Sequence, residues 1–302
     1  MNNVLVLIRR EIWENRSLWI APLVIAGFIL VMALFGAIHA GDHGAFSFGS
    51  HDGRAETEIR EIAGSVDKQR TIYGMAMASF TTFQMLVLSV VVFFYLLDSL
   101  LGERKDRSIL FWKSLPISDT QVVGSKALTA LVAAPIYVLL VSAATQLVFG
   151  LIWWVRMQGN PLGDVLLPFD AQTWLQVQAG TFVMAVVSVV WLLPVAGYLM
   201  LVSVWARRNA FLWAVLPPVA AMLGEYLLLR SLHVANFVGR RLVGDFQIMG
   251  THELEGAGTD EFGEFISRAA SVLVHWETWA GIAAAVVLFV AVIRIRRYRD
   301  DS

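Results

Sequence analysis

Six long apolar stretches separate the charged segments of this chain, and they limit its fold more than any other feature. They cover about residues 19–38, 75–101, 127–154, 179–205, 211–229 and 278–293. Each stretch is continuously apolar and does not alternate, which indicates spanning helices and not barrel strands. The sixth has too few residues before Arg294 to cross a bilayer core, which needs roughly 20. It must therefore extend through Trp276 and Glu277 or place its arginines at the membrane surface.

The composition is that of a membrane protein with one domain. The 302 residues are 57% hydrophobic and 16% charged, with a mean hydropathy of +0.65, whereas soluble domains are about a quarter charged. Nothing separates a second, soluble core from the apolar stretches, so residues 1–302 are predicted to form a single all-α integral membrane domain. The chain has no cysteine, which excludes disulfides and cysteine-ligated metals.

The placement of Lys and Arg predicts that both termini lie inside. Most of the 23 basic residues fall in the inner segments of such a topology. The remaining ones lie mainly in the two longest loops, residues 39–74 and 230–277, where the positive-inside rule has least force. The sequence thus predicts six transmembrane helices, N-in and C-in, with these two loops outside.

Three segments beyond the spans have helical periodicity. Residues 1–18 read as an amphipathic interfacial helix with Trp13 and Trp19 as interfacial anchors. The outer loop 39–74 begins with a Gly-rich turn, and its apolar residues then recur at helical spacing. In the second outer loop, Phe262 to Leu273 place apolar residues on one face, as expected for a helix at the outer interface.

The densest run of charge is "GERKDRSILFWKSLPISDTQVVGSK", residues 102–126. Charges of both signs come first, followed by Ile109, Leu110 and Trp112, and Pro116 then stops the helix. An apolar, aromatic face on a charged inner loop is a docking surface for a partner. The alternative is a positive-inside loop whose apolar residues rest on lipid headgroups.

The longer segment "LLGERKDRSILFWKSLPISDTQVVGSKAL" resembles the loop between the second and third spans of ABC-2 type transporter permeases, the membrane subunits of one class of ABC exporter. The six-span arrangement, the amphipathic helix before the first span and the long outer loop between spans five and six are similar too. The resemblance implies that loop 102–126 holds a cytoplasmic coupling helix that contacts an ATP-binding subunit. The implied charged contacts are Glu103, Arg104 and Arg107, and the implied buried contacts are Phe111, Trp112, Leu115 and Pro116.

The same resemblance implies the partners. They are two copies of a cytoplasmic ATP-binding subunit, which would bind ATP and Mg, and a second permease chain, by default in a homodimer. The implied location is a bacterial-type cytoplasmic membrane, in contact with lipid and without nucleic acid. The chain lacks the G-x-x-x-x-G-K-[ST] run of a P-loop, so it has no ATPase motif of its own. It is predicted to be a transport subunit and not an enzyme, with no cofactor in this chain.

A substrate path is predicted from polar and aromatic residues inside the spans. Charge within a bilayer is costly and tends to mark function, which singles out Glu225 in span five. Glu225 either lines the path or pairs with Arg230. Phe80, Phe83 and Gln84 in span two are the other path candidates.

The histidines allow a metal hypothesis, which the glycines around them oppose. His39 and His43 have ligand-like spacing if their segment is helical, and His51 lies nearby. Gly41 and Gly44 argue against a helix there, so no metal site is predicted.

The expected function is therefore that of an exporter permease subunit, driven by a separate ATPase, for an unidentified substrate. One alternative is a six-span scaffold or sensor that docks a cytoplasmic partner without transport. The other is an ion-coupled secondary carrier, which would favour several buried ionisable groups and related halves. The sequence has one clear intramembrane carboxylate and no internal repeat.

Overall fold

A computed structural model describes residues 3–43, 65–106, 117–156, 170–248 and 259–298, and over these ranges the chain is helical apart from short turns. The helices are α1 (Asn3–Glu14), α2 (Ser17–His43), α3 (Val66–Asp98), α4 (Leu101–Lys105), α5 (Asp119–Leu128), α6 (Ala134–Arg156), α7 (Ala171–Trp205), α8 (Ala210–Leu229), α9 (His233–Ile248), α10 (Thr259–Val274) and α11 (Trp276–Tyr298). A π-helical turn, Thr129–Ala133, joins α5 to α6.

Six of the described segments are long and apolar enough to cross a membrane: α2, α3, α5 with α6, α7, α8 and α11. This confirms the predicted all-α, multi-pass membrane fold. The sixth span extends through Trp276 and Glu277, as its short apolar run required. Large apolar side chains such as Phe28, Leu140 and Leu216 are exposed on the outside of the bundle, where lipid would cover them.

Three helix ends differ from the prediction. Helix α2 continues to His43 through Gly41, because a single glycine costs a helix only about 1 kcal/mol. Helix α3 ends at Asp98, before the predicted end of the span at residue 101, and the short helix α4 begins at Leu101. Helix α5 begins at Asp119, within the range predicted as loop. The amphipathic helix predicted before α3 falls mostly on residues 44–64, which lie outside the described residues.

The start of α5 is set by a reciprocal cap. The Ser118 hydroxyl accepts a hydrogen bond from the Gln121 amide at 3.3 Å, and the Gln121 side chain accepts one from the Ser118 amide at 3.1 Å. This capping box satisfies two backbone donors that a helix start leaves open. The helix therefore begins several residues before its apolar run.

The π-helical turn has a local cause in Pro135. Proline has no amide hydrogen, and its ring clashes with the carbonyl of the residue four positions earlier, which is Leu131. The helix widens just before the proline, and the Ala134 amide donates to the carbonyl of Thr129, five residues back. The third span is thus one continuous helix in which a single turn, Thr129–Ala133, is π-helical.

Helix α7 lies at the centre of the bundle and packs against α3 and α11, while α2 packs against α6 and α3. The side chains that are fully buried in this packing include Leu96, Leu100, Val123, Val138, Met200 and Val292. Helix α8 is the least buried of the six spans. A β-carbon added to Gly197 would lie 3.0 Å from the β-carbon of Leu288, so glycine lets α7 and α11 approach closely.

The bundle has two distinct ends. At one end, called the α1 end, α1 packs against α5, and the last turns of α3 and α11 reach the same place through the contacts of Tyr95 with Glu11 and of Arg296 with Glu103. The opposite end, called the far end, holds the starts of α3 and α7 together with α9 and α10. At the far end Asp170 caps α7 by accepting hydrogen bonds from Thr173 and Gln172, and its carboxylate lies 3.1 Å from the Arg70 guanidinium of α3.

Candidate functional site

A cluster of charged side chains lies at the α1 end, inside the protein. It joins five helices and is called the charge network; its members are Glu11 of α1, Tyr95 of α3, Glu103 of α4, Asp119 and Lys126 of α5, and Arg296 of α11. All but Asp119, which is partly exposed, are buried. Charged groups are rarely buried unless they are paired, so a cluster of this size is a candidate functional site.

Lys126 bridges two carboxylates. Its ammonium nitrogen lies 2.9 Å from Glu11 Oε1 and 3.1 Å from Glu103 Oε1. Its side chain keeps 4% of its surface exposed, so solvent screens these contacts little. A single lysine of α5 thus holds the N-terminal helix and α4 together.

Arg296 makes the second bridge, between Glu103 and Asp119. Its Nη1 lies 2.7 Å from Glu103 Oε2, and its Nε lies 3.0 Å from Asp119 Oδ1. The planar fork of a guanidinium suits such a two-carboxylate contact. The last span is therefore tied at its end to both α4 and α5.

Glu11 accepts further hydrogen bonds, one at the second oxygen of its carboxylate and one at its backbone carbonyl. The Tyr95 hydroxyl donates a hydrogen bond to Glu11 Oε2 at 3.0 Å, and Asn15 donates to the Glu11 backbone carbonyl at 3.1 Å. With all acids ionised, the network holds three carboxylates and two cations. Removing any one cation would leave buried negative charge, which is costly.

A second joint connects α4 to the end of α7. The Ser203 hydroxyl accepts hydrogen bonds from the amides of Leu100 and Leu101 at 3.0 and 3.1 Å, which caps the start of α4. In return, the Arg104 guanidinium donates to the carbonyls of Ser203 and Ala206 at the end of α7. An arginine suits this place because the open carbonyls of a helix end carry partial negative charge.

The segment that the sequence predicts as a coupling loop is anchored at both of its ends. Glu103 and Arg104 hold its first residues, and Asp119 and Lys126 hold its last. The contact of Lys126 with Glu103 joins the two ends of the segment to each other, and the remaining contacts join it to α11 and α7 of the same chain. The other predicted coupling residues, Arg107, Phe111, Trp112, Leu115 and Pro116, lie outside the described residues.

The predicted path residues of α3 have different surroundings. The Phe80 ring meets that of Phe149 edge to face at 4.8 Å, whereas half of Phe83 is exposed. Gln84 is fully buried, and both atoms of its amide group lack a hydrogen-bond partner among the described residues. A polar group of this kind needs a ligand or a water molecule to avoid a cost of about 1–3 kcal/mol.

Glu225 holds the start of α9. Its carboxylate accepts hydrogen bonds from the Ser231 hydroxyl at 2.6 Å and from the amides of His233 and Val234 at 2.8 and 2.6 Å. The guanidinium of Arg230, its expected alternative partner, lies instead over the Tyr226 ring. Glu225 thus caps a helix N-terminus, where a carboxylate is favourable.

A polar cluster within the spans was not predicted. Gln146 donates hydrogen bonds to the Met77 carbonyl and to Thr81, both at 2.9 Å, and the hydroxyls of Thr81 and Ser142 lie 2.6 Å apart. Gln178 of α7 donates to Gln146. Such contacts join α3, α6 and α7, at about 0.6 kcal/mol each in a membrane. Their only signal in the sequence is that small polar residues recur within apolar runs.

The charge network as a whole was not predicted either, although Glu103 was among the expected coupling residues. Glu11 follows Leu7 by one turn on the buried face of α1, a charged residue where the helical pattern expects an apolar one. Lys126 and Arg296 look in the sequence like ordinary inner-side cations. Their pairing joins residues that are distant in the sequence, and no spacing rule reveals such contacts.

The described residues contain no group of three or more His, Asp or Glu side chains placed to hold a metal ion. The side chains of His39, His43 and His51 lie outside the described part of the chain. No protein-family model matches the sequence, and no curated protein and no solved structure matches it either.

Proposed function

We propose that this protein is the permease subunit of an ABC-2 type exporter in a bacterial-type cytoplasmic membrane. Both termini face the cytoplasm, and two copies of a separate ATP-binding subunit drive transport. A second copy of the chain completes the pathway in a homodimer. The resemblance of residues 102–126 to a coupling loop is one basis of this proposal.

The structural observation that carries the proposal is the charge network. It holds both ends of the segment between α4 and α5 and connects them to α1 and α11. A segment anchored in this way passes a displacement to several helices at once, because it cannot shift without moving its buried partners. Rigid-body shifts of packed elements are a common form of such transmission.

The anchoring suggests two roles within the coupling segment. The partner-contacting role falls to Arg107, Phe111, Trp112, Leu115 and Pro116. Glu103 and Arg104 take the transmitting role, because their carboxylate and guanidinium bind α5, α11 and α7. Among the residues proposed to line the substrate path, Gln84 has the best support, since its buried amide has no partner among the described residues. Phe80 and Phe83 would line the same path, and Glu225 would act through its hold on α9.

The test is to purify the tagged chain from native membranes in mild detergent, identify what accompanies it, and measure ATPase activity. We expect a stoichiometric ATP-binding partner that is lost with Trp112→Ala or Leu115→Asp. Trp154→Ala is the matched control, because this exposed tryptophan lies at the other end of α6. Glu103→Gln should keep the partner but weaken the response of its ATPase activity to the membrane subunit.

Two outcomes would overturn the proposal. If the tagged chain is monodisperse but purifies without an accompanying protein, it has no ATPase partner. A partner that does not hydrolyse ATP would make the chain a membrane scaffold or sensor.

An ion-coupled carrier is the second candidate, because the charge network gathers five ionisable side chains besides Tyr95. Carrier sites lie near the middle of the bilayer, whereas this network lies at one end of the bundle. Transport by the chain alone in proteoliposomes, driven by an ion gradient without ATP, would favour the carrier.

A further inference from the structure

Two buried hydrogen-bond donors lie where α9 packs against α7 and α11, and they have no acceptor among the described residues. They are Nε of Arg241 on α9 and Nε1 of Trp191 on α7. Trp153 and Trp174 also have buried indole nitrogens without an acceptor there, but the indole of Trp191 lies against a buried cation. Buried donors are nearly always satisfied in proteins, so a pair without acceptors calls for an explanation.

The two donors belong to groups in contact. The guanidinium carbon of Arg241 lies 4.2 Å from the centre of the Trp191 ring, and the Arg241 residue is only 8% exposed. The guanidinium rests on the backbone of α11 at Gly281, where an added β-carbon would lie 1.6 Å from Nη2. Glycine is thus required for Arg241 to occupy this place.

The positive charge of Arg241 is poorly compensated. Its hydrogen bond to the Glu277 backbone carbonyl is long, at 3.4 Å, and the Glu277 carboxylate is bound by the neighbouring Arg240. No carboxylate of the described residues forms an ion pair with Arg241. Arg240 and Arg241 carry two positive charges and Glu277 carries one negative charge, so one further anion would neutralise this group.

The depth of Arg241 places it within reach of lipid headgroups. From Gly281 to Arg296 helix α11 rises about 22 Å, at ~1.5 Å per residue. If Arg296 marks one boundary of a hydrocarbon core about 30 Å thick, the Arg241 guanidinium lies about 8 Å inside the other boundary, a depth that a long side chain or a lipid headgroup can bridge. Phe237, one turn before Arg241 on α9, is exposed and apolar. A cation beside an exposed apolar side chain at this level suits an amphiphile with an anionic head.

We propose that Arg241, Trp191 and the backbone at Gly281 form a binding site for one oxyanion, a phosphate or carboxylate group. The guanidinium supplies the charge, and the two unsatisfied N–H groups donate to the anion's oxygens. The oxyanion belongs to a membrane lipid of the far-end leaflet or to a free anion. This site does not depend on the exporter proposal, because it requires only the membrane fold and the contacts of α9 with α7 and α11.

The test measures the melting temperature of the purified full chain in zwitterionic detergent during three titrations: phosphatidylglycerol, phosphatidylcholine and inorganic phosphate. We expect a saturable rise with phosphatidylglycerol and none with phosphatidylcholine. Trp191→Phe keeps the aromatic ring but removes the donor, and we expect it to weaken the apparent affinity about tenfold. Gly281→Ala should weaken it further, because it displaces the guanidinium without removing a charge.

The controls are Trp213→Phe and Arg208→Gln, which change an exposed tryptophan and an exposed arginine elsewhere. Both should bind phosphatidylglycerol like the wild type. Saturable binding of inorganic phosphate that competes with the lipid would identify a free-anion site, whereas binding of the lipid alone would identify a headgroup site. Equal effects of both lipids, or unchanged affinity in a well-folded Trp191→Phe variant, would overturn the proposal and assign the two donors to buried water.

Discussion

Lys126 is the single residue on which the α1 end depends most. It neutralises two buried carboxylates from different helices, and its side chain is almost fully enclosed. A buried ion pair adds little compared with an apolar pair of the same shape, but breaking one side of it is expensive. We therefore infer that the main effect of the charge network is to determine which helices pack together, and that its contribution to net stability is small.

We expect Lys126→Met to lower the free energy of unfolding by about 3–5 kcal/mol, because it leaves Glu11 and Glu103 without their shared cation. Thermal unfolding in detergent measures the effect. Lys105→Met is the control, since this exposed lysine lies 3.8 Å from an exposed Asp98 and should contribute at most about 1 kcal/mol. Equal losses in the two variants would contradict a buried role for Lys126.

Asp170 gives a prediction about acid stability. Its pKa is lowered, chiefly by the hydrogen bond from the Thr173 hydroxyl and also by backbone amides and Arg70, with burial opposing. A lowered pKa contributes stability above the unfolded value of about 3.9, and this stability is lost as the pH falls through the folded value. The melting temperature should therefore drop below about pH 4.

Asp170→Asn should flatten that part of the melting profile, because the titrating group is gone. Thr173→Val, which removes the strongest donor, should shift the drop towards higher pH. A wild-type profile in both variants would show that Asp170 does not set the acid stability of the far end.

Among the described helices, α7 and α11 make the most extensive contact, and Gly197 lets them approach closely. We expect Gly197→Val to destabilise the protein by about 1–3 kcal/mol, because the added atoms overlap Leu288 and separate two buried helices. Gly150→Val is the matched control, since a β-carbon at Gly150 would meet nothing within 4 Å. Unfolding in denaturant compares the two, and a greater loss at Gly150 would contradict this packing.

The elements themselves could be predicted from sequence to a large extent. Apolar runs located all six spans, since a bilayer demands length and continuity that the sequence displays directly. The ends were less accurate, because caps and turns set them. Asp119 starts α5 through the Ser118 cap, and α3 ends at Asp98 with α4 continuing from it. A hydropathy profile detects neither the Ser118 cap nor the break between α3 and α4.

The candidate site could be predicted only in part. The resemblance points to Glu103 and Arg104, yet their intrachain partners could not be foreseen. Lys126 and Arg296 find Glu103 across long sequence separations, and such pairings arise from how the helices pack. A single sequence contains the residues of such a network, but it does not show which of them contact one another in the folded protein.

At the scale of the whole molecule, the absence of cysteine allows the predicted topology to be tested by single substitutions. Ser50→Cys should react with a membrane-impermeant maleimide in intact cells, since loop 39–74 is predicted to be outside. Ser114→Cys should react only after permeabilisation. The opposite pattern would reverse the orientation, and with it the proposed cytoplasmic coupling segment.

The charge network also has a consequence for how the protein is made. It links Glu11, near the start of the chain, to Arg296, near its end, through Lys126 and Glu103. A ribosome that synthesises about 5–20 residues per second exposes Glu11 many seconds before Arg296 emerges. Until α11 has been synthesised, Glu103 cannot form its ion pair with Arg296. A chain truncated before α11 therefore leaves Glu103 without one of its two buried cationic partners, and we expect it to be degraded faster than the full chain.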